Sequence, residues 1–186
     1  MRIMLASSSP RRKRLLKRVV RKFSARAANA NERIFSDESF PSAAIRLALG
    51  KAEAVAKKER GAIVIGADTI AYCGKKIFRK TNDGKAARRI LASLSGKTHF
   101  VVTGVAVLFP GGRRVKYSVK AAVKMKKLSE RQMASYLRSG EWKGRAGCYD
   151  VSGRGKRLVA SVKGEKETVV GLPLKKLKLL LGRSSG

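Results

Sequence analysis

Apolar and polar positions along the chain change period several times, and each change predicts an element. Residues 3–6 form a short continuous apolar run, which reads as a strand. Three serines follow, then Pro10, then a stretch beginning at Arg11. It has Leu15, Leu16, Val19 and Val20 on one side and Lys13, Arg14, Lys17, Arg18 and Arg21 on the other. That spacing predicts an amphipathic helix with proline at its first position. Residues 23–28 read as a short strand, and residues 29–39 as a polar loop holding Glu32, Asp37 and Glu38. A second helix is expected from Pro41 to about Arg60, burying Ala44, Leu47, Ala48, Ala52, Val55 and Ala56. Lys51 falls among these apolar positions, where a lysine either snorkels to the surface or points its ammonium into a cleft.

Gly61 closes that helix, and residues 62–66 (AIVIG) are the most strand-like stretch in the chain. Their unbroken apolar character predicts a central strand covered on both faces. The run leads into Ala67, Asp68 and Thr69. An acid at the end of a buried strand is where open α/β sheets place ligand-binding groups; it is also where a cap for the next element would stand. Residues 70–78, with Gly74 among them, read as a hairpin followed by Arg79 and Lys80. Thr81 to Asp83 should cap a helix over 84–94 whose apolar face is Ala86, Ala87, Ile90, Leu91 and Leu94.

Residues 100–108 and 114–123 are strands joined by Pro110-Gly111-Gly112. Residues 128–137 are helical, capped at Ser129, with Met133 and Leu137 inward. Residues 140–155 form a glycine-rich loop of the kind that carries function. A strand over 156–162 and a last helix over 173–181, with Leu174, Leu177 and Leu181 inward, complete the pattern; the tail from Gly182 to Gly186 should fray. The alternation predicts an α/β fold with a mixed, twisted sheet and flanking helices, because two hairpins exclude an all-parallel sheet.

Composition adds bounds. A chain of 186 residues, 44% apolar, is expected to be one domain over 1–186 with a real core. Cys73 and Cys148 lack metal-ligand spacing and the only histidine is His99, so both cysteines read as small buried or half-buried residues in a reducing compartment. With no apolar run of membrane-spanning length and no signal-peptide pattern, a soluble, cytoplasmic protein without a membrane partner is expected.

Charge changes the picture most. Forty-four Lys and Arg against twelve Asp and Glu give a net charge of +32, against about 2–8 for an ordinary small domain. Such a surface attracts polyanions. The basic residues run along nearly the whole chain and aromatics are sparse, which argues for adventitious nucleic-acid binding rather than sequence reading. Gly96-Lys97-Thr98 suggests a P-loop, but Leu91 stands where that motif needs glycine and a helix stands where it needs a strand. The opening turn, Ser7-Ser8-Ser9-Pro10-Arg11-Arg12, reads either as a phosphate cradle at a helix N-terminus or as a simple cap with basic residues facing water.

Six segments then occur together and in order: LASSSPRR (5–12), ADT (67–69), LSGKTH followed by VVTGVAV (94–107), SGEW (139–142), AGCY (146–149) and VVGLPL (169–174). In these the chain resembles the Maf family, nucleoside triphosphate pyrophosphatases related in fold to the inosine triphosphate pyrophosphatases. The resemblance covers essentially the whole length. It implies an elongated α/β fold with two lobes around a central cleft, and hydrolysis of a nucleoside triphosphate to the monophosphate and pyrophosphate. The LSGKTH…TGVAV stretch is more similar to the dTTP/UTP-hydrolysing branch than to the branch acting on 7-methyl-GTP.

The resemblance also implies roles. Ser7, Ser8, Ser9, Arg11 and Arg12 match the phosphate-binding loop. Asp68 matches the acid–base aspartate, with Thr69 beside it in substrate selection. Glu32 matches an acid of the loop after the second strand, Lys51 a helix lysine, and Lys80 the lysine of the family's Gly-Lys-Pro. Glu32 and Asp68 would hold a divalent cation, Mg²⁺ with Mn²⁺ as the second candidate, against the triphosphate. The chain departs from the family pattern at Arg79-Lys80-Thr81 for Gly-Lys-Pro, at Val151-Ser152-Gly153 for Ile-Gln-Gly, and at Gly144-Arg145 for Asp-Lys. Ser152 thus stands where a base-reading glutamine is expected. A homodimer is a further open expectation. The competing reading is a Maf-like scaffold with reduced or lost turnover that binds nucleic acid through its charge.

Overall fold

The computed structural model describes residues 2–182. Of the tail expected to fray, Gly182 is helical, and residues 183–186 lie outside the described residues. The elements are β1 (Arg2–Leu5), α1 (Pro10–Lys17), β2 (Ser24–Ala25), α2 (Phe40–Ala56), β3 (Ala62–Cys73), β4 (Lys76–Ile77) and α3 (Gly84–Leu94). They continue with β5 (Thr98–Leu108), β6 (Arg114–Met125), α4 (Glu130–Arg138), β7 (Val159–Lys163), α5 (Lys166–Val170) and α6 (Lys175–Gly182). The strands join in one sheet of order β2-β1-β3-β5-β6-β7, with β4 paired to β3. β1 runs parallel to both β2 and β3, whereas β4 on β3 and β7 on β6 are antiparallel, so the sheet is mixed as the two hairpins require.

The chain gathers into two compact units. The first holds the residues up to Thr69, Val102–Val119 and those from Gly171; the second holds Ile70–Val101 and Lys120–Val170. In the first unit α2 lies tightly on β3 and β5, and two glycines make this approach geometrically available. A Cβ built at Gly66 would stand 2.1 Å from the Ala48 carbonyl oxygen, and one at Gly104 would stand 2.2 Å from that of Ala44. The alanines opposite them (Ala44, Ala48, Ala52) complete a small-residue seam along the buried face of α2. Met4, Val55, Val64 and Leu108 pack around it. The second unit has its own core, where Leu91, Leu94, Met125, Met133, Trp142 and Tyr149 meet.

Several predicted elements differ in extent. α1 stops at Lys17 instead of carrying through Val20, because Arg18 closes it with a bond to the Leu15 carbonyl and the Val19-Val20 pair is a poor continuation. The strand expected over 23–28 contracts to the two exposed residues of β2. The β7 strand begins at Val159, since residues 154–158 form a 3₁₀ helix. In α4 the inward aromatic is Tyr136, with Leu137 only half-buried. The short helix α5 was not anticipated: its five residues end in two valines and carry no periodic signal. Cys73 is half-buried and Cys148 buried, both as free thiols.

Candidate active site

The site begins with the register of β1 on β3. Leu5 pairs with Ile65 in parallel, and β1 ends there while β3 continues through Gly66, Ala67, Asp68 and Thr69 to Cys73. Asp68 is therefore interior to a strand, neither at a strand end nor a cap, which corrects both readings from sequence. In the space where β1 would have continued, the serine loop turns away. Ala6 N–H still donates to the Ile65 carbonyl (2.8 Å), and Ser7 begins the turn with a bond from its N–H to the Leu5 carbonyl (2.9 Å). Ser9 caps α1, its hydroxyl accepting from the Arg12 N–H at 3.5 Å, and Pro10 takes the first helical position. Ser8 is exposed and Arg11 half-buried on this rim.

Strand pleating divides the polar residues of β3 between its two faces. Asp68 shares the α2 face with Gly66. There Lys51, one turn beyond Leu47 and Ala48 on the buried stripe of α2, reaches it: Nζ donates to Asp68 Oδ1 at 2.5 Å and to Glu32 Oε1 at 2.6 Å. Lys51 and Asp68 are both buried, while Glu32 is more than half exposed and closes the group from the loop after β2. Of the two alternatives for Lys51, the ammonium points inward. Among the described residues no group of three or more His, Cys, Asp or Glu converges. The cation-holding candidates are thus the two carboxylates that Lys51 already draws together.

Thr69 takes the opposite face. Its Oγ1 lies 2.9 Å from Thr103 Oγ1 on β5 and accepts from Arg12 Nη2 at 3.0 Å. The same buried guanidinium donates through Nε to the Gly171 carbonyl (2.8 Å) and through Nη1 to Ser7 Oγ (3.4 Å). Arg12 therefore ties the serine loop, β3 and the residue before Leu172 to one another. Burial pulls its pKa down, and the fields of Asp68 and Glu32 push it back up. Gly171 sits at φ +117°, where a side chain would be strained and its Cβ would meet Thr69 Oγ1 at 3.1 Å. Thr103 and Gly171 lie within TGVAV and VVGLPL, and nothing local marks either as a site residue: a threonine in an apolar strand and a lone glycine show their partners only after folding.

Lys80 and Ser152 belong to the second unit. Lys80 is exposed in the segment between β4 and Asp83, the N-cap of α3. Ser152 donates its hydroxyl to Asp150 Oδ1 (2.5 Å), as does its own N–H (2.9 Å), and Arg145 Nε donates to Asp150 Oδ2 at 3.2 Å. Glu141 accepts from the N–H groups of Arg154 (3.0 Å) and Gly155 (2.9 Å), and a Cβ at Gly153 would fall 2.0 Å from its Oε1. The glycine-rich loop is thereby braced by two acids, of which Asp150 is buried. Neither acid carries a signal of its own in the sequence. His99, also in this unit, is fully buried with Nε2 2.8 Å from Tyr149 Oη, and burial lowers its pKa to about 4.

Comparison with known proteins follows the same residues. The chain is 40% identical over 173 residues to the dTTP/UTP pyrophosphatase of Paramagnetospirillum magneticum, covering 92% of this chain and 91% of that protein. It is 39% identical over 181 residues to the dTTP/UTP pyrophosphatase of Moorella thermoacetica, covering 97% and 93%. Among solved structures, the Staphylococcus aureus Ham1 protein aligns with a TM-score of 0.49 at 15% identity, over 68% of this chain and 73% of that one. The family described as Maf-like protein matches residues 2–184. From the serine loop to Gly171, the residues that meet around β3 lie inside that match, and the chain belongs to the Maf family.

Proposed function

We propose that this protein is a nucleoside triphosphate pyrophosphatase, cleaving the α–β phosphate bond of dTTP, UTP or modified nucleotides to give the monophosphate and pyrophosphate. The observation that carries the reading is the buried Lys51–Asp68 pair, with Glu32 on the same ammonium, beside a serine loop that opens a helix. The relatives named dTTP/UTP pyrophosphatase agree with it.

The roles follow from placement. Asp68 sits on a rigid strand and accepts the proton of the attacking water, a task that needs a fixed carboxylate within hydrogen-bond reach. Lys51 holds that carboxylate in place and offsets phosphate charge. Arg12 is committed to Ser7, Thr69 and Gly171, so it sets the loop, leaving direct phosphate contact to Arg11 and the serine loop. Thr69 serves substrate selection. Glu32 and Asp68 are hard oxygen donors that already converge on the Lys51 ammonium, and they would hold Mg²⁺ or Mn²⁺. When bound, that ion supplies charge neutralisation at the phosphates. His99 is buried away from any acid–base role, so the chemistry falls to carboxylates and positioning. The complete Lys51–Asp68–Glu32 group gives no support to a scaffold that has lost turnover.

The test is product analysis. The folded protein is incubated with dTTP, UTP and the other common and modified triphosphates, with Mg²⁺ and with chelator. The expected products are the nucleoside monophosphate and pyrophosphate in equal amounts, with dTTP or UTP preferred and turnover lost in chelator. Orthophosphate with the diphosphate, or no turnover by folded protein, overturns the proposal.

A further inference from the structure

The first acid in the chain is Glu32; the residues before it carry ten Lys and Arg. Two of these, Arg2 and Arg26, share Glu59 at 3.1 and 2.8 Å, and Arg12 is buried in the site. Five others line one groove. Lys13, Arg14 and Lys17 extend from α1, and Arg21 and Lys22 from the turn beyond it. Together with the half-buried ring of Phe23 they enclose about 580 Å³. No acidic residue lines this groove. The carboxylates of Glu32, Glu38, Glu53, Glu59, Asp68, Glu130 and Asp150 pair with cations outside the groove. In a chain with only twelve acids, most of the ion-paired ones committed elsewhere, this is a concentration of positive charge with an aromatic ring along it. A concave track of cations matches a phosphodiester backbone, and a ring in the same track matches an unpaired base. In a duplex the bases are stacked inward and closed to Phe23, so the complementarity favours a single strand.

We propose that this groove binds single-stranded nucleic acid, its backbone along Lys13, Arg14, Lys17, Arg21 and Lys22 and a base against Phe23. The binding is separate from nucleotide hydrolysis, since none of these residues belongs to the Lys51–Asp68 group or the serine loop. The difficulty in testing it is the background from +32, so the comparison must hold charge constant.

Fluorescence anisotropy of a labelled twelve-residue oligodeoxyadenylate is measured with the full chain at several salt concentrations. The variants are K13Q/K17Q/K22Q, an equal change at the exposed residues of K57Q/K58Q/K97Q, and Phe23→Ala. The groove triple is expected to weaken binding at least tenfold at 0.15 M salt. It should also flatten the slope of log affinity against log salt by about 2, at roughly 0.7 per lost phosphate contact on a single strand. The control triple should change affinity less than threefold. Phe23→Ala should cost about fivefold or more at an unchanged slope, as loss of one stacked base does. Equal weakening by both triples would reduce the groove to part of a diffuse field and overturn the proposal. So would equal affinity for a duplex of the same length, or binding by anionic phosphatidylserine vesicles that the groove triple weakens while oligonucleotide binding is unchanged. Thermal melts establish that the variants fold; if the groove triple does not, Phe23→Ala against the parent decides.

Discussion

Lys51 illustrates how one side chain sets both stability and chemistry. Its ammonium is buried between Asp68 and the more exposed Glu32. A buried ion pair contributes little net stability, but removing one member leaves the other charge desolvated and alone. Lys51→Met should therefore abolish turnover and destabilise the fold by roughly 3 kcal/mol, measured by urea unfolding. The double change Lys51→Met with Asp68→Asn should recover much of that loss without recovering activity. His99 behaves differently. Burial holds its pKa down to about 4, below the ordinary value near 6.5, so the folded protein keeps the ring neutral where the unfolded chain protonates it. Its stability contribution is whole above about pH 6.5 and is lost as pH falls toward 4. Unfolding at pH 7 and pH 5 should show the parent losing about 2 kcal/mol more than His99→Gln between the two; parallel losses would contradict the assignment.

At the scale of elements, the seam between α2 and the sheet decides whether the site assembles. Gly66 and Gly104 let α2 approach closely enough for Lys51 to reach Asp68, and their missing Cβ atoms would collide with backbone rather than with a movable side chain. Gly104→Ala should cost at least about 2 kcal/mol through displacement of α2. It should also lower kcat by disturbing the Lys51–Asp68 contact at a position that touches no substrate. Normal kcat with a lowered Tm would contradict that coupling. Periodicity located α3, β5 and β6 to within two residues, because each buries one long face and carries a cap or turn at its ends, while α2 starts where expected but ends four residues early, at Ala56. It failed where an element has no face of its own. β2 is two exposed residues, α5 is five residues ending in valines, and the 3₁₀ turn of 154–158 holds no apolar period. The site was legible as residue types, with Asp68, Lys51 and Glu32 all marked by their rarity or their context. Unread was which face of β3 each residue takes, since that depends on Gly66 packing under α2 and on Thr103 and Gly171 arriving from distant segments.

Across the whole molecule, a charge of +32 with so few compensating acids works against compactness. Screening should relieve that strain. Raising NaCl from about 0.05 to about 0.5 M shortens the Debye length from roughly 14 Å to roughly 4 Å, and Tm should rise by several degrees. A fall in Tm would mean that the surface ion pairs, such as Arg88–Glu130 and Arg114–Glu53, outweigh the net repulsion. Among the described residues no helix is long and apolar enough to cross a membrane. The most direct test of the account is pyrophosphate release from dTTP and UTP by the parent and by Asp68→Asn, with Mg²⁺ and at matched fold content. The account predicts that kcat falls at least a hundredfold in protein that is still folded, although the variant melts below the parent because Lys51 keeps only the exposed Glu32 as a partner. Turnover by Asp68→Asn within a few-fold of the parent would contradict it.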